Sequence, residues 1–146
     1  MSEQPLPAIR FDDRTIIVTG AGRGLGASYA RLIAARGGAV VVHDAGVAQD
    51  GSGFDPSVAQ VVADEITGAG GIAAPFTENL EDPGASGRVV EFAISRFGRL
   101  DALICNAGLV VFADIEQTDR ALWDRMVAIG VSAPFDLARA AVPHMR

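Results

Sequence analysis

With 146 residues, 49% of them apolar, the chain is long enough for one domain with its own core and too apolar for a disordered segment. A formal charge of −6 provides no basic face to neutralise a phosphate backbone, so a nucleic-acid partner is not expected. All twelve basic residues are Arg, and Cys105 is the single cysteine; it cannot form an internal disulfide and suits a reducing compartment. Met1 to Arg14 lacks a basic-then-apolar signal pattern, and no apolar run approaches the length of a membrane span, so the cytoplasm is the default expectation and a membrane is not.

Residues 1–13 are expected to form a tail, and residues 14–146 a single domain. The first strand is predicted over Thr15 to Thr19. Leu25, Tyr29, Leu32 and Ile33 then fall at helical spacing and predict an apolar helix face that includes Tyr29, ended by Gly37-Gly38. Ala39-Val40-Val41-Val42 is a continuous apolar run, as expected of a strand covered on both faces, and it leads into His43-Asp44. A polar, glycine-rich loop follows from Ala45 to Pro56, longer than most strand-to-helix connections. Val58, Val61, Val62, Glu65 and Ile66 mark a second helix, and Ile72 to Phe76 a third strand. Beyond Pro83, Val89, Val90, Phe92, Ala93, Ile94 and Phe97 predict a third helix that closes at Gly98. Leu100 to Cys105 reads as a fourth strand buried on both faces, with His43 and Cys105 as interior packing residues. A last helix is predicted from about Thr118 to the end. The alternation implies a Rossmann-type, doubly wound parallel sheet of the α/β class, ordered 3-2-1-4 and truncated after the fourth strand and its following helix.

The chemistry-bearing stretch is Thr19-Gly20-Ala21-Gly22-Arg23-Gly24-Leu25-Gly26, between the first strand and the first helix. Glycines there let backbone N–H groups approach a pyrophosphate, and the helix N-terminus adds a partial positive charge. The common G-x-G-x-x-G/A fingerprint fits only loosely, through Gly22, Gly24 and Ala27. Asp44, at the end of the second strand, is placed to accept hydrogen bonds from the adenosine ribose and to repel a 2′-phosphate. Arg23 pulls the other way, towards a 2′-phosphate. Desolvating the Asp44 carboxylate beside a dianion is the costlier arrangement, so NAD is expected over NADP. Neither His43 nor Cys105 has partners at metal-ligand spacing, and no P-loop is present.

The spacing Thr19-Gly20-x-x-x-Gly24-x-Gly26, with Asn106-Ala107-Gly108 after the fourth strand, resembles the short-chain dehydrogenase/reductase family from Thr15 to the end of the chain. The resemblance implies an NAD(P)-dependent oxidoreductase moving a hydride between alcohol and ketone. It implies cofactor contacts at Gly20, Gly22, Arg23, Gly24, Leu25, Gly26, Asp44, Asn79, Leu80, Asn106, Ala107 and Gly108. Asn79 stands where relatives usually have Asp meeting the adenine amino group, and an amide oxygen can accept the same bond. The long loop after Asp44 and the Val62-Ala63-Asp64-Glu65-Ile66 segment are similar to 3-hydroxyacyl-CoA dehydrogenase domains of multifunctional β-oxidation enzymes, which suggests an acyl-CoA-like substrate.

Such relatives use a Ser and a Tyr-x-x-x-Lys pair beyond a fifth strand, with Tyr as acid/base. Here the one tyrosine is Tyr29, four places before Ile33, and the chain has no Lys, so the resemblance covers a cofactor-binding half without that machinery. Gly130 replaces the family's helix Asn. Pro134 lacks the N–H that would bond the Gly130 carbonyl, so a kink is expected there, and the freed carbonyl is a candidate for holding a proton-relay water. The free edge of the fourth strand and the apolar last helix predict homo-oligomer formation. A non-catalytic nucleotide-binding or interaction module is the alternative. A methyltransferase also has a glycine loop and an acid, but Thr19-Gly20 and Asn106-Ala107-Gly108 count against it.

Overall fold

The computed structural model describes residues 9–48, 50 and 52–145. Most of the predicted tail, together with Gly51 and the terminal Arg146, lies outside them. Four parallel strands form one sheet: β1 (Thr15–Thr19), β2 (Ala39–His43), β3 (Ile72–Phe76) and β4 (Ala102–Ile104). Their order is β3-β2-β1-β4, as the alternation predicts. The β1/β2 register runs from Thr15 opposite Ala39 to Thr19 opposite His43, so both strands end at the same level. That level is the carboxyl edge, where the crossover direction reverses between β1 and β4 and leaves a crevice.

Helices α1 (Gly24–Ala35) and α2 (Ser57–Gly68) cover one face of the sheet, burying Val18, Val40 and Val42. Helices α3 (Ala85–Phe97) and α5 (Ala133–Ala141) cover the other, over Ile17, Val41 and Leu100. Full burial of such side chains stabilises by roughly 1.5–3 kcal/mol each, which is why the unbroken apolar runs become the central strands. Phe11, from the described end of the tail, also packs on the α1/α2 face, and its N–H donates to Arg36 O. At the opposite edge of the sheet, Arg99, Arg14 and the Thr15 N–H converge on Asp101. They hold its carboxyl well below the usual carboxylate range, Arg99 most strongly.

Several expectations are corrected. Tyr29 is 38% exposed, and Leu25 and Leu32 are more so. The face of α1 turned to the sheet is Gly26, Ala27, Ala30, Ile33 and Ala34, because small side chains let the helix backbone sit close. Strand β4 is shorter than expected and half-buried, since it has only β1 as a neighbour. Cys105 therefore lies past its end and is exposed, not interior.

The expected last helix is not one continuous α-helix. A 3₁₀ turn (Ile115–Gln117) precedes α4 (Arg120–Val127), and Asp119 caps α4 by accepting from Leu122 N–H at 2.8 Å. A π-turn (Ala128–Ser132) then separates α4 from α5, with Ala133 N–H donating to Ala128 O. The break falls where Pro134 removes a ladder donor, as a widened turn. By length and composition alone the helical stretch Arg120–His144 is long and apolar enough to cross a membrane, contrary to the sequence expectation. Its Ala133, Leu137 and Ala141 are instead buried in the domain core.

Candidate functional site

The carboxyl edge of the sheet opens into a cleft of about 390 Å³. Ten of the residues named from sequence line it: Gly20, Arg23, Gly24, Leu25, Asp44, Asn79, Leu80, Asn106, Ala107 and Gly108. Three others do not line it. Gly22 and Gly26 lie behind the loop as its support, and Gly130 is exposed, with its neighbour Ile129 forming that part of the wall.

The loop after β1 depends on close backbone approach. A Cβ on Gly26 would collide with the Gly20 carbonyl oxygen and stand 2.6 Å from Asn106 Nδ2. A Cβ on Gly22 would stand 2.8 Å from the Asp44 carboxylate. Gly20 and Gly24 take φ of +64° and +52°, a region that side chains disfavour. Arg23 precedes α1 in extended conformation, so the first amides of α1 remain at the mouth of the loop as anion donors. Its guanidinium Nη1 donates to Val47 O at 3.1 Å and thereby ties the glycine loop to the loop after β2.

Asp44 is 9% exposed. One carboxylate oxygen accepts from Gly22 N–H at 2.9 Å and the other from Gly46 N–H at 2.8 Å. A buried carboxylate held by two backbone donors keeps lone pairs for further donors, and this one is aimed between the two loops. Next to it, His43 is 2% exposed and donates from Nε2 to Glu78 O at 2.8 Å. Burial pushes its imidazole below the ordinary range. Among the described residues its Nδ1 is buried without a hydrogen-bond partner. His43 is thus a packing residue, as the sequence suggests, and also part of the cleft wall.

The other wall is tied to β1 by Thr19. Its hydroxyl accepts from Asn106 N–H and Ala107 N–H, both at 3.0 Å, and donates to Ile104 O at 3.3 Å. Asn106 Nδ2 bonds Thr19 O and Gly20 O at 3.0 and 3.1 Å. Asn106 is therefore a brace between the wall and the glycine loop, which fixes the width of the cleft. Asn79 makes an Asx turn, accepting from Glu81 N–H through Oδ1. Sequence reasoning missed Glu81, Val47, Leu109 and Ile129, which also line the cleft; only the turn chemistry of Asn79-x-Glu81 gave any signal for them.

A profile of the short chain dehydrogenase family matches residues 14–146. The chain is 39% identical over 138 residues to the peroxisomal hydratase-dehydrogenase-epimerase of Saccharomyces cerevisiae, covering 94% of this chain and 15% of that protein. It is 38% identical to the peroxisomal multifunctional enzyme type 2 of Drosophila melanogaster, over 94% of this chain and 23% of that protein. Among solved structures it is similar to a short chain dehydrogenase from Mycobacterium avium (TM-score 0.82, 39% identity, 92% of this chain and 46% of that one). It is also similar to a metagenomic short-chain oxidoreductase in complex with NADP (TM-score 0.80, 32% identity, 92% and 57%). The chain thus spans about half of these solved relatives and less than a quarter of the two multifunctional enzymes. Glycine loop, braced wall and sheet order agree with these similarities: the chain belongs to the short chain dehydrogenase family.

Proposed function

We propose that the cleft binds NAD in preference to NADP and orients its nicotinamide for hydride transfer between an alcohol and a carbonyl substrate. The observation that carries the preference is the Asp44 carboxylate, buried and held by Gly22 and Gly46 amides beside the glycine loop. Ribose hydroxyls would complete its hydrogen bonding, whereas a 2′-phosphate would meet it as a like charge. Arg23, the residue that would favour the phosphate, is engaged with Val47 O. The amides at the start of α1 would take the diphosphate, Asn79 Oδ1 the adenine amino group and Asn106-Ala107-Gly108 the second ribose. Bound nicotinamide supplies the hydride chemistry; this chain's own residues bind, orient and shield it.

Titration with NADH and NADPH, followed by fluorescence and melting temperature, tests the reading. NADH is expected to bind more tightly, and Asp44→Ala to weaken it by about ten- to a hundredfold while narrowing the preference. Tighter binding of NADPH by the unaltered chain would reverse the cofactor assignment.

Within the same reading the substrate is a small carbonyl or alcohol of the acyl-CoA type. The similarity to peroxisomal multifunctional enzymes supports this, and turnover of a 3-hydroxyacyl-CoA by a full-length form tests it. Homo-oligomers through the apolar α4–α5 flank or the free edge of β4, and a reducing cytoplasmic setting for Cys105, belong to it as well. Gly130, beside the cleft-lining Ile129, remains the candidate for holding a relay water through its carbonyl. The alternative reading is a nucleotide-binding or interaction module without the chemistry. A Ser and Tyr-x-x-x-Lys encoded beyond Arg146 would decide for the enzyme.

A further inference from the structure

Two charged residues outside the family motifs meet at the end of the cleft assigned to adenosine. Arg125, on α4, donates through Nε to Glu81 Oε1 at 3.1 Å and through Nη2 to Glu81 Oε2 at 3.3 Å. Glu81 Oε2 also accepts from Asn79 Nδ2 at 3.2 Å, and the Glu81 backbone N–H donates to Asn79 Oδ1 at 3.0 Å. The Glu81 side chain is only 19% exposed. It forms part of the wall between the dinucleotide cleft and a second cavity of about 440 Å³ beside α3 and α5.

An amide side chain is nearly symmetric in shape, so packing alone does not choose which end accepts and which donates. Glu81 removes that ambiguity. Its carboxylate only accepts and its N–H only donates, so half a turn of the Asn79 amide would set oxygen against oxygen and NH₂ against N–H. The amide is locked, with lone-pair capacity left on Oδ1. Asp44 and Glu81 both line this end of the cleft, and their negative charge favours a base edge that donates over one that carries a carbonyl.

We propose that Glu81, held in place by Arg125, locks Asn79 as an acceptor and so sets the site's preference for adenine, whose 6-amino group donates, over hypoxanthine, whose 6-oxo group accepts. The inference rests on the dinucleotide reading of the cleft. Glu81 and Arg125 act as positioning residues: they set the base preference through Asn79.

The test compares the affinity of the purified chain for NADH and for reduced nicotinamide hypoxanthine dinucleotide, by fluorescence titration. NADH is expected to bind about tenfold more tightly. In Glu81→Leu the ratio is expected to fall to within about twofold, and Arg125→Met, which leaves the carboxylate but frees it to move, to give an intermediate ratio. The double variant Glu81→Arg with Arg125→Glu restores an ion pair to α4 but sets a donor against Asn79 Nδ2. Its melting temperature is expected to recover while the ratio stays low. A ratio near one in the unaltered chain, an unchanged ratio in both single variants, or recovery of the ratio in the double variant would each overturn the proposal. Absence of NADH binding by the unaltered chain would overturn the dinucleotide reading first, and this inference with it.

Discussion

The two sides of β1 are built differently. On one, β2 has a neighbour on each edge and a helical layer on each face, and Val40, Val41 and Val42 are fully buried. On the other, β4 pairs with β1 alone and its three residues are half-buried. The flank beyond it exposes Phe112, Trp123, Val131 and Phe135, each more than half accessible. Both strands read from sequence as apolar runs; only the one with complete surroundings is buried in this chain. Apolar pattern therefore reports what a strand can bury, while the number of partners decides what it does bury. The cleft straddles this boundary, with its glycine loop and Asp44 on the complete side and Asn106 as the brace across to the other.

If the complete side is as tightly determined as its packing implies, the severest change is Gly26→Val, which forces a side chain into the Gly20 carbonyl and the Asn106 amide. Its expected cost is about 3 kcal/mol, with loss of NADH binding, measured by denaturant unfolding and titration. Next is Thr19→Val, which leaves the Asn106 and Ala107 N–H groups without their acceptor. That change should destabilise by about 2 kcal/mol and loosen the wall towards β4, and Thr19→Ser should restore most of it.

A smaller effect is expected on acidification. The fold depresses His43 by burial, so its contribution is present above the unfolded-state value of about 6.5 and fades as pH falls below it. Asp101, depressed chiefly by Arg99, follows the same sign, with its loss beginning only below the unfolded-state value of about 3.9. Unfolding free energy measured against pH should lose its upper limb in His43→Phe and keep its lower one. The smallest effect on stability belongs to the incomplete side. Trp123→Ser and Phe135→Ser should change stability by less than about 0.5 kcal/mol while reducing self-association seen by sedimentation.

Strand identity, sheet order and the ten cleft residues were legible because each rests on a local signal: a β-branched run, a glycine that only a close backbone contact requires, an acid at a strand end. The buried face of α1 was not. Leu25, Tyr29 and Leu32 gave the periodic pattern, but contact with the sheet went to Gly26, Ala27, Ala30 and Ala34, whose advantage is distance of approach rather than hydrophobicity. Cys105 was misplaced because a strand end depends on the partner's register, which β1 sets from far along the chain. The Glu81–Arg125 pair was hidden for a related reason, since the two meet only when α4 folds back over the turn after β3.

The π-turn at Ala128–Ser132 carries a rotational consequence. Each residue of an α-helix advances the side-chain direction by about 100°, and the widened turn absorbs one residue more than an α-turn would. Phase is thereby kept between Arg125, which faces Glu81, and Ala133, Leu137 and Ala141, which face the core. Winding the same residues as an even α-helix would swing the guanidinium roughly a quarter turn away from its carboxylate. The widened turn thus keeps the cleft wall and the core anchor on a single azimuth.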